Sequence, residues 1–177
     1  MPFFFADLSA TAPRARYLCA ASSFLVAGYT FDSVDSLRGT RVWWSASGDA
    51  TSWPTPRTDA AIAARSDFQD VEGEEGDITG LMSGLQSGTF SVFRERGIVT
   101  AFEVADSLIF NFDAIEGGRG CVAPDSLVRI GGEAAYQGPD GFYMFNGHTS
   151  RPIGNSRFDE FFYTRIDQSQ VHRTLGI

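Results

Sequence analysis

Turn-forming residues cut the apolar runs of this sequence at close intervals, most clearly between positions 123 and 154. The turns there carry glycine, alone or after a turn-favouring residue: Gly132, Pro139-Asp140-Gly141 and Asn146-Gly147. Proline presets one turn dihedral and glycine accepts a positive φ, so this spacing favours short antiparallel strands over helices. We therefore expect Ala134-Ala135-Tyr136 and Phe142–Phe145 to fold back on each other as a β-hairpin.

The same order of strands and turns occurs twice more, which gives three meanders over about 16–59, 77–115 and 121–154. Loose copies of one meander are typical of repeat architectures. The sequence also contains 16 phenylalanines, three tryptophans and five tyrosines, and aromatic residues favour half-buried strands. We predict an all-β fold, in which antiparallel meanders over residues 16–155 form all or part of a β-propeller.

The two ends of the chain differ from this pattern. Residues 1–15 contain a short apolar run closed by a proline, which indicates an N-terminal arm. Residues 156–177 begin with Phe158, Phe161 and Phe162 at helical spacing after Ser156, a possible helix cap. The final run, VHRTLGI, is apolar and strand-like. We expect a short helix packed on the sheet, then an unfinished strand that continues in a longer chain or closes against the N-terminal arm.

The first meander contains two continuous apolar runs, YLCAA and FLVAGYTF, separated by Ser22 and Ser23. This pattern predicts two strands buried on both faces and joined by a tight turn. In the third strand, Trp43 and Trp44 must point to opposite faces of the sheet. We expect one to lie in the core and the other to meet a neighbour or solvent. The loop that follows should be anchored by Trp53.

An acidic run places six carboxylates between Asp67 and Asp77. Its spacing does not match the alternate ligands, central glycine and final glutamate of an EF-hand calcium loop. A solvated loop between blades is the simpler interpretation. Pairs such as Asp67/Asp70 or Glu74/Asp77 could serve glycoside hydrolysis, although any acidic surface loop satisfies so weak a criterion.

Composition excludes several kinds of chemistry. No lysine is present, which removes Schiff-base and P-loop lysines. The net charge of -8 disfavours gripping a nucleic-acid backbone, although an acidic wall lets DNA pass without adhering. The remaining candidates for metal or nucleophilic chemistry do not form a zinc or hydrolase motif: Cys19, Cys121, His148 and His172. We predict no enzyme activity, no cofactor, no metal site and no membrane span.

Several segments in the same order resemble a family of tailed-phage and prophage virion proteins. The resemblance covers the chain from Arg14 onward and rests on these segments: Arg41–Pro54 (RVWWSASGDATSWP), Ser66–Asp70 (SDFQD), Phe93–Ile98 (FRERGI), Gly120–Gly132 (GCVAPDSLVRIGG) and Asp140–Gly147 (DGFYMFNG). It implies a β-propeller tail component of short-tailed phages, of the nozzle or hub kind.

The resemblance further implies a ring, with a hexamer favoured, around the channel through which DNA leaves. Its partners would be copies of itself and other tail or connector proteins, with DNA as passing cargo. It would reside in the virion tail, and in the host cytoplasm during assembly. Other functions left open are a glycan-binding or glycan-hydrolysing propeller and a generic protein-interaction propeller.

In such a ring we expect the loops at 32–39 and 49–59 to meet neighbouring protomers. Tryptophan is enriched at interface hot spots. Our candidate interface residues are Trp44, Trp53, Arg57 and Phe161. The alternative for both tryptophans is a place in the core.

Overall fold

The computed structural model describes residues 9–104, 108–154 and 156–176 of the chain. Within these residues, twelve strands form three four-stranded antiparallel sheets, accompanied by two short α-helices. The predicted all-β class is therefore confirmed. The sheets are open meanders, so the propeller stays a prediction. The chain divides into two compact units, Met1–Glu72 and Gly73–Ile177.

Among its described residues, the first unit contains one sheet, with strand order β1-β2-β3-β4, and one helix. The elements are β1 (Arg14–Ala21), β2 (Phe24–Asp32), β3 (Ser36–Trp44), α1 (Asp59–Ala64) and β4 (Asp67–Asp70). Thr58 caps α1, because its side chain accepts the N–H of Ala61. The sheet provides the frame on which the loop between β3 and α1 is packed.

The first hairpin forms where the sequence predicts it, with Ser22 in the left-handed region at φ 51°. Its predicted burial on both faces is correct for most of β2 and wrong for β1. Side chains of β1 alternate between exposed and half-buried up to Ala20. The alternation shows that one face of β1, a strand at the edge of the sheet, is left uncovered.

The structure buries both tryptophans of β3, whereas the sequence predicts one in the core and one facing a neighbour or solvent. Their exposed fractions are 1% for Trp43 and 2% for Trp44. Strand β3 lies inside the sheet, between β2 and β4. Trp53 is buried with Trp43, and its Nε1 donates to the carbonyl of Ala50 at 2.9 Å. The prediction that Trp53 anchors its loop is confirmed.

The second unit contains two sheets, with strand orders β5-β6-β7-β8 and β12-β11-β10-β9. The strands are β5 (Ile78–Ser83), β6 (Thr89–Arg94), β7 (Gly97–Glu103), β8 (Phe110–Gly117), β9 (Val128–Ile130), β10 (Glu133–Gln137), β11 (Phe142–Phe145) and β12 (Ser150–Pro152). The helix α2 spans Ser156–Tyr163, and short 3₁₀ helices span Pro124–Ser126 and Gln168–Arg173.

The hairpin predicted from the Pro-Asp-Gly step is confirmed. Strand β10 pairs with β11 in a register that places Ala134 opposite Phe145 and Tyr136 opposite Tyr143. The turn is closed by a hydrogen bond from the N–H of Gly138 to the carbonyl of Gly141 at 2.8 Å. The local turn chemistry therefore fixes which side chains of β10 and β11 share a face.

An aromatic layer joins the two sheets of the second unit face to face. The ring of Phe93 on β6 lies 5.6 Å from that of Tyr136 and 5.7 Å from that of Phe145, with interplanar angles of 61° and 83°. The other members of this aromatic layer are Ile98, Cys121, Ala134 and Tyr143. Edge-to-face contacts of this kind are favoured by the charge distribution of aromatic rings. Two consecutive meanders thus share one core.

The predicted helix is present as α2, and it packs on β11. The Phe142 ring contacts three rings of α2, at 5.6 Å from Phe158, 5.0 Å from Phe162 and 6.4 Å from Tyr163. Phe161 faces outward and is 55% exposed. The helix therefore buries part of its aromatic surface on the sheet and leaves the rest at the surface.

The predicted terminal strand is wrong, because Gln168–Arg173 forms a 3₁₀ helix. The carboxylate of Asp167 accepts the N–H of Ser169 at 2.9 Å and so caps its first turn. Farther on, the N–H of Gly176 donates to the carbonyl of Asp125 at 2.7 Å. Local capping outweighs the β-propensity of the apolar run.

The acidic run is also not one continuous loop. Its first four residues, Asp67–Asp70, form β4, in which Phe68 lies opposite Trp43 and Asp70 lies opposite Arg41. These two partners explain why a polar segment joins the sheet. The remaining acidic residues connect β4 to β5.

Replacing Phe93 by alanine should destabilise the protein by about 3–5 kcal/mol, because it leaves a cavity in the aromatic layer. Urea unfolding followed by circular dichroism measures this change. The matched control is Phe161→Ala, which removes an exposed ring and should change the free energy of unfolding by less than about 0.5 kcal/mol. Equal effects of the two substitutions would contradict the assignment of the core.

Candidate interface surface

A buried arginine holds the end of the first sheet together. Arg41 on β3 lies opposite Asp70 on β4, and its side chain is 2% exposed. The guanidinium makes a bidentate contact, with Nε 2.7 Å from Oδ1 and Nη2 2.9 Å from Oδ2 of Asp70. Paired bonds of this kind combine charge with fixed geometry. Strand β4 is therefore attached to β3 by side chains as well as by backbone.

The same guanidinium fixes the turn between β2 and β3. Nη1 of Arg41 lies 3.2 Å from Oδ2 of Asp32 and 2.8 Å from Oδ2 of Asp35. Asp32 also accepts, through Oδ1, the N–H groups of Val34 at 2.9 Å and Asp35 at 2.8 Å. The Asp32 side chain thus caps the turn, and the buried guanidinium of Arg41 binds the carboxylates of Asp32 and Asp35.

Electrostatics favour the charged forms of Arg41 and Asp35. Burial is the largest single influence on the pKa of Arg41 and lowers it, but hydrogen bonds to Asp70 and Asp35, together with the charges of Asp70 and Asp32, outweigh burial and raise the pKa. The hydrogen bond from Arg41 is the largest cause of the lowered pKa of Asp35, and the charges of Arg38 and Arg57 add to it. The opposite charges stabilise one another, as expected for a buried pair with satisfied hydrogen bonds.

The loop that carries Arg57 lies beside Arg41, and both guanidinium groups face the ring of Phe68. The guanidinium of Arg41 lies 3.6 Å from the ring centroid of Phe68, and that of Arg57 lies 5.3 Å from it. Arg57 is exposed and has a φ of 63°, in the left-handed region. The sequence predicts that the loops at 32–39 and 49–59 meet neighbouring protomers. In the structure, residues 36–39 of the first loop belong to β3. The turn that precedes β3 and the loop that carries Arg57 lie side by side.

Three exposed apolar side chains project around this turn: Phe31, Val34 and Leu37, which are 49%, 50% and 56% exposed. Phe31 and Leu37 are directly opposite each other in the β2–β3 pairing. We call these three residues, with Arg57, the hairpin-tip surface. Sequence reasoning missed its apolar part. The signal was present in FDSVDSL, where apolar residues recur every third position through a polar turn.

The predicted interface residues fall into two groups. Trp44 and Trp53 are buried in the first unit, and the ring of Trp53 lies edge-on to Trp43 at 6.5 Å. Their burial supports the core alternative. Arg57 belongs to the hairpin-tip surface. Phe161 lies on the outer side of α2, where Arg165 stacks 4.1 Å from its ring centroid.

A second buried arginine anchors the acidic connection that opens the second unit. Arg94 on β6 donates from Nη1 to Glu75 at 2.9 Å and from Nε to the carbonyl of Gly76 at 2.9 Å. Burial is the largest cause of its lowered pKa, and the charge of Glu75 opposes that change. Each unit therefore contains an arginine that fixes an acidic segment to a sheet.

The two cysteines are held in the thiol form, and the two histidines lie on the surface. Burial raises the pKa of Cys19 to about 12 and that of Cys121 to about 11, so both thiols are protonated at neutral pH. His148 and His172 are exposed. Across the described ranges, no group of three or more His, Cys, Asp or Glu side chains could hold a metal ion.

One open cleft of about 630 Å³ lies beside α2 in the second unit. It is lined by Pro139, Asp140, Pro152, Gly154, Asp159, Glu160 and Tyr163. Two of the carboxylates in this cleft accept hydrogen bonds from neighbouring residues. Asp140 accepts the hydroxyl of Tyr143 at 2.8 Å, and Asp159 accepts the N–H of Phe142 at 3.3 Å. The acidic groups thus help position the β10–β11 turn and α2.

No family model matches the chain, and no curated protein matches it. Among the residues with described positions, no helix is both long and apolar enough to cross a bilayer.

Acid should loosen the hairpin tip. The lowered pKa of Asp35 means that its ion pair stabilises the fold fully above the ordinary carboxyl pKa and is lost as pH falls through the lowered value. We expect the melting temperature to fall below about pH 4. Asp35→Asn should flatten this dependence, whereas Glu74→Gln, at an exposed side chain, should not. Identical pH profiles for both variants would contradict the role of Asp35.

Proposed function

We propose that this protein is a structural component of a phage tail, of the nozzle or hub kind, which assembles as a ring around the DNA ejection channel. The observation that carries the proposal is the aromatic layer. It stacks two consecutive four-stranded meanders face to face, which is how successive blades of a propeller bury their sheets. The ordered sequence segments that resemble tailed-phage virion proteins supply the same interpretation independently.

The charge of the chain suits a passage for DNA. The net charge is -8, and the acidic residues number 22 against 14 arginines. Such a balance offers DNA little attraction, because phosphate contacts require clustered cations. A wall of this composition would let the duplex pass without adhering.

Exposed apolar groups supply surfaces for assembly. The hairpin-tip surface belongs to the first unit, and Phe161 with Phe158, 53% exposed, belongs to the second. Two different patches on one chain suit heterologous contacts, in which one patch of a copy meets a different patch of the next. Contacts of this type close into rings when the rotation between copies fits. The hydrogen bond from Arg41 to Asp32 would hold the hairpin tip in one conformation before a partner binds.

Mass photometry and negative-stain electron microscopy of the purified protein test this proposal. We expect rings with a central channel. Leu37→Asp should weaken assembly at least about tenfold, because it places a charge in an apolar contact. The control, Leu175→Asp, alters a residue that is 70% exposed in the second unit and should assemble normally. Monomers at all concentrations, or release of reducing sugar from glycans, would overturn the proposal.

A further inference from the structure

Two of the described edge strands are longer than the others. Of the described strands, six lie at the edge of a sheet: β1, β4, β5, β8, β9 and β12. Four of them have three to six residues, whereas β1 and β8 have eight each. Soluble proteins keep such edges short or protect them, since an edge strand can pair with another chain. These two edges are therefore candidates for contact with a partner.

The two long edges carry opposite charge. Strand β1 contains Arg14 and Arg16 and no acidic residue, while β8 contains Asp113 and Glu116 and no basic residue. Both arginines of β1 are exposed, as is Asp113. Lysine or arginine on both edges would repel a second copy, whereas this distribution makes the two edges complementary.

We propose that β1 of one copy pairs with β8 of the next copy as an antiparallel extension of the sheet, with Arg14 opposite Asp113 and Arg16 opposite Asn111. The inference deepens the proposed ring and rests on it. The chemistry is that of strand addition, in which backbone hydrogen bonds supply affinity and side chains set the register.

The period of two along each strand disfavours a shift of this register by one residue, and the charge pair Arg14–Asp113 distinguishes it from a shift by two. Arg14 and Arg16 share the exposed face of β1, and Asn111 and Asp113 share one face of β8, where the amide of Asn111 donates to Asp113 at 3.0 Å. On the opposite faces, this register aligns half-buried Ala15 with half-buried Phe112. A shift by one residue in either direction would place Arg16 opposite a phenylalanine, Phe110 or Phe112.

The proposed contact lies near the hairpin-tip surface. Arg14 lies directly opposite Phe31 in the β1–β2 pairing, so β1 alone would separate the added strand from Phe31. The interface joins different strands of two identical chains and is heterologous, as a closed ring requires.

Charge reversal in the full chain tests the pairing. We expect Arg14→Glu/Arg16→Glu to raise the concentration for half-assembly about tenfold, since the change at position 14 places a carboxylate opposite Asp113 and the change at position 16 adds a second negative charge beside it. Adding Asp113→Arg to that variant should restore part of the loss. Arg173→Glu changes an exposed arginine outside both strands and is the control. Mass photometry measures each midpoint.

Disulfide trapping tests the register directly. Arg14→Cys and Asp113→Cys proteins are prepared separately, mixed and exposed to a mild oxidant, with the unmutated protein reporting background from Cys19 and Cys121. A linked dimer should form in the mixture and in neither variant alone. Rings that assemble without this crosslink, and without sensitivity to charge reversal, would overturn the strand pairing and leave the ring intact. Absence of any assembly would overturn both.

Discussion

The packing of Phe93 against Tyr136 and Phe145 is the interaction on which the second unit depends. Each sheet there has four short strands, and sheets of this size need a second layer to bury their apolar face. Aromatic side chains supply large buried areas from few residues. The contact is also repeatable, since a meander that presents such a layer can stack on another meander. This property links the local packing to the proposed propeller and ring.

Buried arginines determine how polar segments are attached to these sheets. Arg41 brings together the β2–β3 turn and β4, and Arg94 fixes the loop that contains Glu75. Removing one partner of a buried pair leaves an uncompensated charge, which is costly. The turns are therefore held in one geometry. A surface that already has its bound conformation in the isolated chain loses less conformational entropy when it meets a partner, which suits the assembly that we propose.

Elements with strong local signals could be predicted from the sequence. The β10–β11 hairpin follows from Pro139-Asp140-Gly141, and α2 follows from its phenylalanine spacing. Long-range features could not. Arg41 and Asp70 are 29 residues apart, so no window of sequence shows that they pair. Alternation places the two tryptophans of β3 on opposite faces, but it does not show that both faces are covered.

Native-state hydrogen exchange tests the face-to-face packing most directly. If the aromatic layer makes one cooperative core, the amides of β6, β7, β10 and β11 should exchange through a common opening, with the same free energy and the same dependence on denaturant. Phe145→Ala should lower that free energy for all four strands together. The account would be contradicted if β10 and β11 opened separately at low free energy while β6 and β7 stayed protected.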